Sequence, residues 1–426
     1  MRNVILGSTP SSYRLGLQAG FRRIRTPWFV CLVAFLVRVL ALSLVQPWPL
    51  TPGPQFWNTG FEVVNIASSI ATHRGFSSPF GIESGPTAWI PPVYPYFLAA
   101  VYMLLGLRSN LAAMAILSTQ ALFSALTCIP LYAIAKRAFD EDCAIFAAWG
   151  WALFPYGVLL PELFVWETAL SAFLLTLLCN LCLDLPRKSP RNCITVGALW
   201  GVAALTNTTL VSLMPVFLLA PHVRRPRQIR GVPIATVVLA SIVVVSPWIL
   251  RNLHAFGAFV PVRSNFGEEL WQGNHEGGTG RINFGFGPGD NHAEREVYRK
   301  VGEISYVRQR RTEATNFICA SPTRFLRQAF YRFRYWWFAE GETGPFFTCY
   351  RLLTLMSLIG MILAWRNVRR GAVFTILAAI CVYPLVYYLT NVYARYRYPI
   401  EPLMMVLAGF AVSRAFAIRK KETDNF

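Results

Sequence analysis

Long apolar runs alternate with short polar segments along the whole chain. Several runs reach the roughly 17 to 25 residues needed to cross the hydrocarbon of a bilayer as a helix. They lie at 28–47, 110–135, 143–160, 167–184, 193–207, 208–221, 231–250, 346–365, 371–390 and 399–417. The pair at 193–221 is the least secure, since one bent or re-entrant hairpin would account for both. We therefore predict an all-α polytopic membrane protein with about ten transmembrane helices.

Basic residues accumulate at every second end of these runs. Arg22, Arg23 and Arg25 precede the first run; the later clusters are Lys136-Arg137, Arg187-Lys188, Arg224-Arg225 with Arg227, Arg366 with Arg369-Arg370, and Arg419-Lys420-Lys421. Because short cytoplasmic loops collect Lys and Arg, we predict that both termini are cytoplasmic. A cleaved signal peptide is the alternative for residues 22–47, but Arg38 interrupts that run and its length suits a full span.

This topology leaves two outer segments that are too long to be turns, and it divides the chain in three. Residues 1–250 form an N-terminal membrane module that includes the first outer loop at 48–109, where function is expected. Residues 251–345 form a large outer loop rich in helix, and residues 346–426 form the C-terminal membrane helices.

Surface helices are predicted in both outer segments. In the first, one helix begins near Asn58-Thr59 and a second covers 94–105 after Pro91-Pro92. In the second, a charged amphipathic helix covers 293–319, and the Arg- and aromatic-rich stretch 322–338 is typical of a helix at the headgroup layer.

Composition excludes an ordinary soluble enzyme, because 54% of the residues are hydrophobic, 14% are charged and the mean hydropathy is +0.41. The net charge of +19 raises the possibility of a nucleic-acid partner, but a nucleic-acid binder gathers its charge on one face of a soluble domain. Here much of the charge marks membrane edges. The bilayer is the expected partner, and no nucleic acid is expected.

Cysteine and histidine spacing predicts no metal or cofactor. The nine cysteines form no disulfide or metal-binding pattern. His275 and His292, with Asp290 or Glu294, are spread across a glycine-rich stretch whose spacing is unspecific. We therefore expect neither a metal site nor a cofactor.

Glu62 lies alone in the acid-poor segment 60–76, just after the first predicted span. A carboxylate held outside a bilayer is a candidate general base. The alternative interpretation is a surface carboxylate on a juxtamembrane helix.

A series of short motifs resembles the GT-C glycosyltransferases in its order, and within them the protein O-mannosyltransferase and lipid A aminoarabinose transferase branch. After Glu62 come, in order, Arg74-Gly75-Phe76, Pro91-Pro92-Val93-Tyr94-Pro95, the basic turn 135–139, Pro155 with Glu162 and Glu167, and the closing segment 394–402. The resemblance covers most of the chain, although no single motif is diagnostic.

The resemblance implies an inverting glycosyltransferase of the bacterial inner membrane. It would move a sugar from a polyprenyl-phosphate carrier to a periplasmic acceptor, which is a protein, a glycolipid or a cell-wall glycan. Its active site would lie at the periplasmic face. The sequence contains no glycine-rich nucleotide fingerprint or P-loop, as a lipid-borne donor would allow.

The resemblance also implies two acids of the site. Glu62 takes the place of the family's first-loop acid, and either Glu167 or Glu162 takes that of the second. The aminoarabinose transferases carry a Lys before the paired prolines where this chain has Ile90, so the phosphate contact must come from elsewhere. The residues assigned to the carrier phosphate are Arg395, Arg397, Arg263 and Arg251. The residues assigned to the acceptor or sugar are Asn265, Trp271, Asn274 and His275.

Two other classes of function remain open. A ligase or polymerase of the O-antigen type would use a lipid-diphosphate glycan and would depend on Arg and His rather than an early acid. A secondary transporter would show internal repeats and polar residues at mid-membrane. No convincing repeat is present, and Arg38 and Arg351 are the main ionisable residues within the spans.

Overall fold

The computed structural model describes residues 25–45, 57, 59–185, 189–220, 231–367 and 370–424. Regular structure in these ranges is helical, apart from two isolated β-bridges, Ser77 with Pro86 and Arg281 with Val392. The N-terminal helices are α1 Pro27–Val45, α2 Phe61–Ala71, α3 Val93–Leu105, α4 Asn110–Leu126, α5 Cys128–Ala138, α6 Glu141–Leu153, α7 Pro155–Leu163, α8 Thr168–Cys182, α9 Pro190–Thr206 and α10 Met214–Leu219.

The remaining helices belong to the large outer loop and the C-terminal membrane region. They are α11 Gly231–Phe256, α12 Phe266–Gly273, α13 His292–Val301, α14 Glu303–Ala320, α15 Pro322–Phe338, α16 Pro345–Ala364, α17 Gly371–Val382, α18 Leu385–Leu389 and α19 Glu401–Asp424. The 3-10 helix Ala394–Ile400 leads directly into α19. The predicted all-α polytopic fold is confirmed.

Seven helical stretches in the described residues are long and apolar enough to cross a membrane. They are Pro27–Leu44, Asn110–Ala138, Glu141–Leu163, Gly231–Phe256, Pro345–Ala364, Gly371–Leu389 and Ala394–Arg419. The count of about ten spans is not confirmed, because the runs at 167–184, 193–207 and 208–221 form shorter helices. Helix α9 has 17 residues and ends at the extended residue Asn207, after which a 3-10 helix and α10 continue.

Helices α2 and α3 confirm the two short helices predicted in the first outer loop. Asn58 lies outside the described residues, and Gly60, not Thr59, is the N-cap of α2. The Thr59 hydroxyl instead accepts a hydrogen bond from the Val165 amide at 3.2 Å. A Cβ on Gly60 would lie 2.2 Å from the Val165 carbonyl oxygen. Glycine thus permits the close approach that brings the start of α2 beside the segment before α8.

The helix predicted at 293–319 is interrupted. Gly302 adopts a φ of +80°, a conformation that glycine tolerates at little cost, and separates α13 from α14. The following helix α15 exposes Leu326, Phe330 and Phe333, whereas Arg332 and Trp336 are fully buried. This distribution is that of an amphipathic interfacial helix, and the inward arginine was not anticipated.

Ion pairs join the helix ends that the sequence assigns to the cytoplasm. Arg25 contacts Asp142 at 2.6 Å, and Arg137 contacts Asp184 at 2.8 Å. From this end, α1 leads to the first outer loop, and α6 continues as α7 toward Glu167. The first outer loop and Glu167 therefore lie at the opposite end of the helix bundle.

Arg38 is buried in α1 and is surrounded by hydrogen-bond acceptors from its own and neighbouring helices. Its guanidinium donates to the Ser124 hydroxyl at 2.8 Å and to the carbonyl oxygens of Ala34, Ala152 and Trp151 at 3.0 to 3.2 Å. A charged group at membrane depth is tolerated when such acceptors surround it. Arg38 thus connects α1 to α4 and α6.

Candidate functional site

A cavity of about 170 Å³ lies where the two outer segments meet residues 386–399, which precede α19. Trp89 and Ile90 of the first outer loop form one part of its wall. Trp166 and the residues beside it form another, and the segment around Asn265 closes the side toward the large outer loop. Three carboxylates and two guanidinium groups reach this space from separate parts of the chain.

Glu62, Glu167 and Glu269 are the carboxylates of the cavity. Glu62 lies in the first turn of α2, and Glu167 is the N-cap of α8. The positive end of a helix dipole favours a negative charge at both positions. Glu62 is only partly exposed, and the exposed part lines the cavity.

Burial raises the pKa of the Glu62 carboxyl above its usual range. Neighbouring Glu269 raises this pKa further, while Arg395 and Arg263 act in the opposite direction. Desolvation is the largest cause, because it disfavours the charged form of the carboxyl group. Such a carboxylate accepts a proton more readily than an exposed one does.

Arg263 and Arg395 supply the positive charge of the cavity. Arg263 forms an ion pair of 3.0 Å with Glu269. Arg395 is 9% exposed, and its guanidinium lies 4.0 Å from the centroid of the Trp166 ring. Among the described residues, the Nε atoms of both arginines have no hydrogen-bond partner. Each guanidinium therefore has one N–H donor whose partner the described residues do not supply.

Glu269 was not identified from the sequence. Its Oε1 accepts from Asn265 at 2.9 Å, and its Oε2 accepts from Asn391 at 2.8 Å. The sequence shows two adjacent acids, Glu268 and Glu269, but it does not show which of the two side chains faces a site. The structure separates them, because Glu268 is buried against Gln272, which donates to it at 2.8 Å.

A wall of hydroxyl and amide groups was also missed. Asn207, Thr208 and Thr209 line the cavity where α9 ends. The Asn207 amide donates to Glu167 at 3.4 Å, and the Tyr387 hydroxyl donates to Thr209 at 3.3 Å. The available signal was three polar residues at the junction of the two insecure runs, since broken helices often bear binding groups in membrane proteins.

Three residues assigned to the acids or to phosphate lie outside the cavity wall. Glu162 is fully buried within α7. Arg397 is fully buried and paired with Glu401 at 2.9 Å. Arg251 donates to the carbonyl oxygens of Thr87 and Phe76 at 2.7 and 2.8 Å. The contacts of Arg397 and Arg251 therefore connect parts of the fold.

Asn265 alone, of the four residues assigned to the acceptor or sugar, lines the cavity. Trp271 and His275 stack at 4.3 Å, and the Arg310 guanidinium lies 3.9 Å from the centroid of the indole. Asn274 donates to the carbonyl oxygens of Leu270 and Leu389, both at 2.8 Å. These three residues do not line the cavity, and Asn274 joins the large outer loop to α18.

The described residues contain no group of three or more His, Cys, Asp and Glu side chains arranged to hold a metal ion. The polar groups of the cavity are carboxylates, arginines, and neutral amides and hydroxyls. This set can accept a proton, hold an anion and bind hydroxyl groups.

The chain is similar to known glycosyltransferases in part of its sequence and in its fold. Residues 90–250 match the family model described as dolichyl-phosphate-mannose-protein mannosyltransferase. Oligosaccharyltransferase AglB from Archaeoglobus fulgidus, solved with an inhibitory peptide and a dolichol-phosphate, is similar over 94% of this chain and 52% of its own length, with 13% identity and a TM-score of 0.59. Its apo form gives the same coverage, 14% identity and a TM-score of 0.59.

A further structure is ArnT from Cupriavidus metallidurans bound to undecaprenyl phosphate, with 15% identity, 90% of this chain covered, 77% of ArnT covered and a TM-score of 0.43. The chain spans about half the length of the AglB structures. No curated protein sequence matches significantly. The resemblance to the GT-C glycosyltransferases is confirmed, and the chain has the GT-C fold.

Proposed function

We propose that this protein transfers a sugar from a polyprenyl-phosphate carrier to an acceptor, with inversion at the anomeric carbon. The observation that carries the proposal is the cavity, which places Glu62 and Glu167 in one space with Arg263 and Arg395. Such a transfer needs a base for the acceptor and fixed positive charge for the departing phosphate. We assign these two tasks to residues that lie far apart in the sequence and line the same cavity.

Glu62 is the proposed general base. It would take the proton of the acceptor hydroxyl while the acceptor oxygen attacks the anomeric carbon and the bond from that carbon to the phosphate oxygen breaks. The raised pKa of Glu62 suits this role, since a base works best when its pKa approaches the working pH. Glu167 is the second acid of the site and lies beside the hydroxyl and amide wall through Asn207.

Arg395 and Arg263 are the proposed ligands of the leaving phosphate. Arg395 is held against Trp166, so its position is fixed before the carrier arrives. Arg263 is oriented by Glu269, which also limits the net positive charge of the site. Negative charge grows on the phosphate as the glycosidic bond breaks, and preorganised guanidinium groups stabilise that charge most in the transition state.

The sugar is proposed to lie between Asn265 and the Asn207–Thr209 wall. Asn265 is 2% exposed, and its Oδ1 atom has no hydrogen-bond partner among the described residues. An amide oxygen without a hydrogen-bond partner is suited to accept a hydrogen bond from a sugar hydroxyl.

Similar proteins support a lipid phosphate as the donor. The matching family model is described by a sugar carried on dolichyl phosphate, and the AglB structure contains a dolichol-phosphate. We propose by extension a bacterial inner-membrane protein with its site at the periplasmic face. The acceptor in this proposal is a protein, a glycolipid or a cell-wall glycan.

A direct test offers purified protein two sets of labelled donors, polyprenyl-phosphate monosaccharides and lipid-diphosphate glycans, and measures release of the lipid. Release from at least one monophosphate donor, lost with Arg395→Ala, is expected. Release from diphosphate donors alone would favour a ligase of the O-antigen type. Release from neither, together with uptake of a solute in vesicles, would favour a transporter.

A further inference from the structure

We propose that Glu303 is a positioning residue that fixes the two outer-loop walls of the cavity relative to each other. This inference rests on the proposed function for its effect on the carrier, but its geometry stands independently. Glu303 is the first residue of α14 and is 5% exposed. It does not line the cavity, so its action on a ligand would pass through other residues.

The Glu303 carboxylate accepts four hydrogen bonds from three parts of the chain. In the first outer loop, Thr87 donates its hydroxyl at 2.5 Å and Ala88 donates its amide at 2.7 Å. In the large outer loop, Ser264 donates at 2.6 Å and Tyr298 also at 2.6 Å. We call Glu303, Thr87, Ala88 and Ser264 the outer-loop clasp.

Each contact of the clasp lies next to a residue of the cavity wall. The Thr87 hydroxyl also accepts from the Trp89 amide at 3.0 Å, and Trp89 lines the cavity. Ser264 stands between Arg263 and Asn265, which both line the cavity. The Ser264 amide donates to the Ala88 carbonyl oxygen at 2.9 Å, so the walls are also joined directly.

A buried carboxylate is suited to this task, because its two oxygens can accept several hydrogen bonds at once. Glutamine at this position would present one oxygen and one NH₂ group. The Glu303 Oε1 atom accepts from Ala88 and Ser264, and its Oε2 atom accepts from Thr87 and Tyr298. An amide oxygen in the Oε1 position would keep the first two bonds without their charge assistance, and an NH₂ group in the Oε2 position would force the Thr87 and Tyr298 hydroxyls to turn and accept. Glu303→Gln should therefore loosen the clasp without removing the side chain that fills the space.

The first measurement is hydrogen exchange on the protein without ligand. Glu303→Gln should speed exchange at the amides of 87–89 and 264–266. Glu296→Gln is the matched control. It is also a glutamate-to-glutamine change, but Glu296 is exposed and pairs with Arg299 on α13. Unchanged exchange at both segments in Glu303→Gln would overturn the clasp.

The second measurement is binding of a polyprenyl-phosphate carrier to the protein in nanodiscs, with undecaprenyl phosphate as the probe. Glu303→Gln should weaken binding about tenfold, and Ser264→Ala, which removes one donor only, about threefold. If Glu303 acts by placing Arg263, then adding Glu303→Gln to Arg263→Ala should cause little further loss, because interacting residues are not additive. A general loss of stability would instead add to the effect of Arg263→Ala.

The outcomes separate the two claims. Faster exchange together with weaker, non-additive binding supports the positioning role. Faster exchange with unchanged binding, or with additive losses, overturns it. If the parent protein does not bind the probe, the proposed phosphate site is wrong, while the exchange measurement still decides whether Glu303 joins the two walls.

Discussion

Arg395 and Arg397 lie two residues apart in one 3-10 helix and have opposite environments. Arg395 faces the cavity and stacks on Trp166. Arg397 turns inward, where it pairs with Glu401 and donates to the Thr354 hydroxyl at 2.6 Å. The sequence offers both as phosphate ligands with equal weight, because the side on which each arginine lies depends on contacts with Trp166, which precedes α8, and with α16.

This difference predicts two distinct phenotypes. Arg395→Ala should weaken binding of a polyprenyl phosphate about tenfold or more and leave thermal unfolding nearly unchanged. Arg397→Ala leaves Glu401 buried without its partner, so it should cost about 3 to 5 kcal/mol of stability. Carrier binding and thermal unfolding in detergent, measured on both variants, check the assignment. A stable Arg397→Ala variant with weakened binding would reverse it.

Glu62 predicts the pH dependence of turnover. Its carboxyl must be ionised to accept a proton, and burial raises its pKa above the usual value of about 4.3. The rate should therefore rise with pH through a range above that value and level off where Glu62 is fully ionised. Residual activity of Glu62→Gln should lack this rise. An acidic limb at the ordinary carboxyl range, or one retained in Glu62→Gln, would contradict the role.

At the scale of the elements, apolar periodicity predicts the short outer helices well, and glycine decides where they end and how closely they approach. Gly302 breaks the helix predicted at 293–319, although the residues on both sides favour helix. Gly60 brings α2 against Val165. Neither effect is visible from the local sequence, since the positive φ and the close contact are set by tertiary packing.

Helices α9 and α11 make such a close approach within the membrane region. A Cβ on Gly197 would lie 2.4 Å from the Val237 carbonyl oxygen and 2.6 Å from the Ala240 Cβ. Gly197→Ala should therefore destabilise the protein by about 1 to 3 kcal/mol, as overpacking does. Gly231→Ala, at a position with open space, is the control. Equal unfolding temperatures for the two variants in detergent would show that the helices are not packed this tightly.

At the scale of the whole molecule, the order of motifs and the residue types along the chain predict several residues of the cavity wall. They do not predict the residues that reach the wall through long-range contacts. Glu62, Glu167, Arg263, Arg395 and Asn265 were all candidates, and the structure brings them to one cavity. Glu269 and the Asn207–Thr209 wall were missed. Their relevance comes from contacts across more than a hundred residues, such as Asn391 with Glu269, which no local pattern encodes.

The sidedness of the fold is also testable. Cys319 is exposed near the end of α14 in the large outer loop. If that loop is periplasmic, a maleimide that cannot cross the membrane should label Cys319 from the outside of intact spheroplasts. Cys319→Ser should remove the label. Labelling that appears only after the membrane is permeabilised would place the loop, and the cavity with it, on the cytoplasmic side.

The most direct test of the central claim is transfer from radiolabelled polyprenyl-phosphate sugars into membranes that contain the parent protein or Glu62→Gln at matched expression. Glu296→Gln serves as the control for a neutralised glutamate. We expect a labelled product with the parent and the control, and a loss of roughly 10²-fold or more with Glu62→Gln. Equal labelling by the parent and Glu62→Gln, or no labelling from any carrier, would contradict the account.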